Sequence, residues 1–186
     1  MSLWNNFWGH LGTILHHKKL VRRHCFQAGL YKQGIMHDWS KYSPVEFMAG
    51  VRNYQGGKKS PNHGEKKAKG YSSAWLHHKG RNRHHYEYWI DFTSNPSEGL
   101  QGMPMPTRFV LEMFCDRVAA SKNYNRETYT DEFPLQYYEK NKHYYVLHED
   151  TKALLELLLH MLAEKGETAT FSYIRREIDW KHSPKW

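Results

Sequence analysis

Apolar residues recur every three to four positions along most of the chain, a spacing that predicts helices rather than strands. Trp4, Phe7, Trp8, Leu11, Ile14 and Leu15 mark one amphipathic helix over 3–15. A second covers 16–30, with His17, Leu20, Val21, His24 and Ala28 on one face and a stop near Gly29; a third covers 31–40. Ser43-Pro44-Val45-Glu46 combines a capping hydroxyl, a first-turn proline and a reciprocal glutamate, so a fourth helix runs from Pro44 to about Asn53. In that reading the capping box accounts for Glu46 without any chemistry.

Residues 55–70 are rich in Gly, Lys, Asn and Ser, lack a periodic apolar face, and read as an exposed loop. YSSAWLHHKG (71–80) is helical up to Gly80, and Asn82 is placed to cap another helix through 83–92. A Pro-rich linker over 95–106 leads to the helix TRFVLEMFCDRVAASK (107–122). A short helix follows over 133–142, then TKALLELLLHMLAEKG (151–166), strongly apolar and closed by Gly166. Strand signals are sparse, and the turn-rich end DWKHSPKW reads as a surface terminus. The expected fold is all-α: one helical domain over 1–186, with a ligand-bearing core at about 15–122 and a helical extension at about 133–174.

Composition narrows the class. With 39% apolar and 15% aromatic residues among 186, the chain can build a packed interior and is not a disordered one. Cys25 and Cys115 stand alone without a CxxC, as free thiols in a reducing compartment would. The N-terminus lacks a signal-peptide pattern and no run approaches the roughly 18 apolar residues of a membrane span, so a cytoplasmic protein is expected. A net charge of +8 favours an anionic partner. The basic residues are scattered, as on an ordinary solvated surface, which suits a small anionic substrate such as a nucleotide better than nucleic acid.

Fourteen histidines are present, several beside apolar helical residues where a solvated ring would be out of place. Imidazole ligates Zn, Fe, Co and Ni, and carboxylate oxygen complements it for Mn or Mg. The sharpest element is His37-Asp38 in IMHDWSKYSPVEF (35–47); neighbours on a helix differ by about 100°, so the pair shares an ion only at a helix edge. In WLHHKGRNRHHYEYW (75–89), His78 and His85 would lie about 10 Å apart on one helix, and a break over 80–82 lets them converge. His77 and His84 are then the pair that packs or hydrogen-bonds. Asp116 shares a helix face with Phe109, Met113 and Ala120, where a carboxylate needs a metal or an arginine partner. His17 or His24 supplies the first ligand.

A first histidine, then His37-Asp38, then helical histidines and a distal aspartate resembles the HD-domain superfamily of metal-dependent phosphohydrolases, over about 15–122. HDWSKYSPVEF and AWLHHKGRNRHHYEYW are similar to a branch from bacteria and phages in which His-Lys precedes the HD pair at about this interval. The resemblance favours His17 over His24, and implies a helical HD-domain-like bundle with His17, His37, Asp38 and Asp116 on one divalent ion and His78 and His85 on a second. The doubled histidines depart from mononuclear members. One or two ions of Mn, Fe, Ni, Co, Zn or Mg would activate water, while Lys41 and Arg81, or Arg83, would neutralise a phosphate. The rival readings are a binuclear iron enzyme of oxygenase type and a non-enzymatic module stapled by metal.

Overall fold

The computed structural model describes residues 2–57 and 59–181. Helix α1 runs unbroken over Leu3–Gln27, with Ser2 Oγ accepting from the Asn5 N–H, so the two helices expected over 3–30 are one. Nothing between 13 and 18 stops a helix: the segment holds no proline, and the Thr13 hydroxyl bonds back to the Gly9 carbonyl (2.9 Å) without interrupting it. The chain leaves α1 through Ala28 and a left-handed Gly29 (φ 83°), then forms α2 (Tyr31–Met36). A 3-10 turn (Trp39–Tyr42) leads to α3 (Pro44–Arg52), where Ser43 Oγ caps the Glu46 N–H at 3.4 Å as its sequence predicts.

The expected loop over 55–70 is half helix. Helix α4 (Pro61–Lys69) buries one polar side chain instead of an apolar face, and so leaves no periodic signature. Glu65 accepts from Ser72 Oγ (2.6 Å), Ser73 Oγ (2.7 Å) and the Ala74 N–H (3.4 Å), tying α4 to the start of α5 (Ser73–Lys79). Those donors outweigh burial and hold the Glu65 carboxyl down at about 2.

The helix expected over 83–92 does not form. A 3-10 turn (Tyr86–Trp89) gives way to β1 (Ile90–Phe92), paired antiparallel with β2 (Leu100–Gly102), Ile90 facing Gly102. Gly102 lies so close to the backbone at Leu147 and His148 that a Cβ would stand 2.6 Å away, so only glycine fits at this end of the hairpin. Helices α6 (Thr107–Asn125) and α7 (Phe133–Asn141) fall where the pattern puts them. The last helix, α8 (Glu149–Glu177), does break at Gly166 (φ 76°), but restarts at once because Asp131 Oδ2 accepts the Glu167 N–H. The predicted surface terminus runs past the described residues at 182–186.

Among the described residues the regular structure is therefore helical apart from one short hairpin. A single apolar cluster draws on Val21 and Cys25 of α1, Leu111 and Phe114 of α6, and Leu155 and Leu158 of α8, all fully buried. No helix among the described residues is long and apolar enough to cross a membrane. Cys25 and Cys115 are buried free thiols within the core.

Candidate metal centre

The HD pair lies just past a helix end rather than on it. His37 is extended (φ −51°, ψ 129°) and Asp38 left-handed (φ 54°, ψ 33°), a conformation aspartate tolerates better than most residues. This reversal carries the two side chains to one point, which the 100° helical offset would oppose. Across from them, α5 stops at Gly80. Asn82 Nδ2 bonds back to the His78 carbonyl and to Ser40 Oγ, both at 2.8 Å, so the chain folds over and the His78 and His85 rings meet with centroids 4.8 Å apart.

His17 from α1 and Asp116 from α6 complete the cluster. His17 Nε2 stands 2.9 Å from Asp116 Oδ1; His37 Nε2 stands 3.6 Å from the same oxygen and 3.2 Å from Asp38 Oδ2. The other oxygen of Asp38 faces His78 Nε2 at 3.2 Å and His84 Nε2 at 3.4 Å, and Asp116 Oδ2 lies 3.9 Å from His84 Nε2. Atoms about 2.0–2.2 Å from a shared ion stand about 3–3.5 Å from one another, so most of these separations leave room for an ion between the groups. Among the described residues three groups could hold an ion: His17, His37 and Asp116; Asp38 with His78, His84 and His85; and, on the outer side, Glu112 with His37 and His84.

The protonation pattern agrees. His37 and His84 each turn Nδ1 to Glu112 Oε1, at 2.9 and 3.2 Å, and His78 turns Nδ1 to Glu46 Oε2 at 2.7 Å. An ionised carboxylate can only accept, so each Nδ1 carries a proton and Nε2 is turned inward, the outer-shell arrangement seen for metal-bound histidine. Buried and without a hydrogen-bond partner are His17 Nε2, His37 Nε2, His84 Nε2, His85 Nε2 and Asp38 Oδ1. Five such atoms gathered in two adjoining groups are a configuration that natural interiors avoid unless something positive lies between them.

Charge in the cluster is tightly coupled. Burial pushes His37 down, yet Asp38, Asp116 and Glu112 outweigh it and hold the imidazole well above its ordinary range. Burial pushes Asp38 and Asp116 up, and the facing histidines, with Lys41 for Asp38, pull both well below the carboxylate range. Burial and the neighbouring His84 and His78 keep His85 neutral. Lys41 Nζ lies 2.6 Å from Asp38 Oδ2, and Asp38 and Asp116 hold its ammonium charged against burial.

Beside the cluster lies a cavity of about 240 Å³, lined by His17, Asp38, Lys41, His78, His85 and Asp116 together with the aromatic rings of Tyr54, Trp75 and Tyr124, Trp75 packing on His78 and His85. Residues 6–161 match the model of a family of unknown function, DUF5662. The chain belongs to the DUF5662 family. No curated protein and no solved structure matches it. The matched segment of this DUF5662 chain contains every residue of the cluster and the cavity.

His17, His37, Asp38, His78, His85 and Asp116 thus come together, with Lys41 beside them. Arg81 does not: its guanidinium is exposed and reaches the His77 carbonyl at 3.3 Å, because the turn at 80–82 that folds the histidines inward turns Arg81 out. His24 lies in the apolar half, stacked on Phe171 at 5.3 Å and pushed down to about 3 by burial. Of the alternates, His77 faces Glu46 Oε1 at 2.7 Å outside the cluster, whereas His84 stands inside it. The capping-box account of Glu46 is incomplete: Ser43 caps its N–H while its carboxylate holds two histidines. Sequence reasoning missed Glu112 and His84; Glu112 had a signal, an acid one turn before Asp116 among apolar residues.

Proposed function

We propose that this DUF5662 chain is an HD-domain-like metal-dependent hydrolase that cleaves a small phosphate ester. The observation that carries the reading is the gathering of five unpartnered buried ligand atoms, with the His37 and His84 rings oriented from behind by Glu112 and the neighbouring His78 by Glu46. Asp38 offers one oxygen to each ligand set, which suits a pair of divalent ions.

Such ions, when bound, lower the pKa of water toward neutrality and polarise a phosphoryl oxygen. The chain's own residues do the positioning. Glu112 locks the His37 and His84 rings, Glu46 locks His78, and Lys41 brings a fixed positive charge to the cavity wall beside Asp38. Trp75 and Tyr124 line the space for the leaving group. A site that only stapled helices would be closed on all sides, whereas this one opens on a cavity.

The test is a screen of purified full-length protein against phosphate monoesters and diesters with added Mn, Ni, Co, Mg or Fe. Phosphate release that depends on the metal and stops with chelator is expected. Full metal loading with no release from any ester would overturn the reading, and oxygen consumption by an iron-loaded sample would put oxidative chemistry in its place.

A further inference from the structure

The cavity continues beyond the metal ligands. At Thr13, Tyr54, Gly57 and Asn123 it shares walls with a hollow of about 190 Å³ running along α1 over Gly9, Gly12 and His16. At His16 and Arg126 that hollow in turn shares walls with an outer one of about 520 Å³, which Lys122 and Glu127 complete. The floor is kept bare by glycine. A Cβ on Gly12 would enter open space, and one on Gly9 would stand 2.5 Å from the Tyr54 ring, so Tyr54 sits flat over α1 only because Gly9 has none.

Arg126 ends α6 at φ 46°, ψ −115°, a backbone that non-glycine residues rarely adopt and that costs about 1–3 kcal/mol. Its guanidinium reaches back over the mouth, where Nη2 is 3.8 Å from the point a Gly57 Cβ would occupy. Among the described residues no carboxylate pairs with it, whereas Lys122 is taken by Glu167. Asp116, Ala120, Asn123 and Arg126 follow one another along α6, so Arg126 lies about 15 Å beyond the metal ligand.

We propose that this run of hollows seats an elongated phosphate ester, with Arg126 anchoring a second anionic group roughly 10–15 Å from the reacting phosphorus. The inference rests on the reading above in one respect, that the reacting phosphoryl sits at the His/Asp cluster. It adds a substrate class: a phosphate ester with a charged far end, in which the glycine-floored hollow accepts the connecting body.

The test is calorimetric titration of the Mn-loaded full chain with α,ω-alkanediol bisphosphates of four, eight and twelve carbons, against octyl phosphate as the single-anion control. The best-fitting bisphosphate is expected to bind at least tenfold more tightly than octyl phosphate. Arg126→Gly should erase that advantage while affinity for octyl phosphate stays within twofold. Glycine adopts a left-handed φ without strain, so the variant keeps its fold, and unchanged Mn content verifies this. Equal affinity for the two ligand types in the wild type, no binding of either, or equal weakening of both by Arg126→Gly would overturn the anchor. Hydrolysis is scored separately: if octyl phosphate is never cleaved but the Arg126-dependent preference stands, the hydrolase reading falls and the anchor survives.

Discussion

Helices α1 and α6 pack against one another and share two interiors of opposite character. At one end Val21 and Cys25 meet Leu111, Phe114 and Val118, backed by Leu155 and Leu158, in a continuous apolar cluster. At the other end His17 continues the stripe of α1 and Glu112 and Asp116 that of α6, and buried atoms are left unpartnered. Each unpaired buried polar group costs about 1–3 kcal/mol, so the five together rival the total stability of an ordinary domain, about 5–15 kcal/mol. The apolar half folds the chain. The polar half draws on that stability, and under the proposed reading cations return it. The border falls inside α1, between His17 in the cluster and His24, stacked on Phe171, seven residues apart on one stripe.

If the halves are separable, damage to one should leave the other intact. Leu158→Ala, which empties a fully buried position in the apolar half, should cost about 2–5 kcal/mol in chemical denaturation while bound metal per chain stays unchanged. Loss of metal in that variant would show that the halves fail together. A smaller effect is expected behind the ligands. Glu112→Gln keeps the shape but weakens the carboxylate hold on His37 and His84, and metal affinity should fall 10- to 100-fold, about 1.4–2.7 kcal/mol, with helical content by circular dichroism unaltered. Unchanged affinity would make Glu112 a packing residue.

Much of this was legible where a residue type leaves few options. His37-Asp38, the acid Asp116 on an apolar face and the helix break at Gly80 each carry their meaning locally, and the structure brings all three together. What stayed hidden depends on contacts distant in sequence. Glu112 is 75 residues from His37, and nothing near it says which imidazoles it will meet. Glu46 satisfied a capping rule so completely that its carboxylate seemed accounted for. Helix α4 is anchored by the acid Glu65 rather than by an apolar face, so periodicity passed over it. His84 and His77 are indistinguishable by spacing; the turn that admits one excludes the other and turns Arg81 outward.

The central claim is that the buried His/Asp cluster holds divalent ions, and metal titration of the purified wild type alongside Asp38→Ala tests it most directly. Asp38 presents one oxygen to each set of histidines. The account therefore predicts two ions per wild-type chain, with both lost in Asp38→Ala while the apolar core, and the helical signal with it, remains. A wild type that takes up no divalent ion, or an Asp38→Ala chain that binds as many as the wild type, would contradict it.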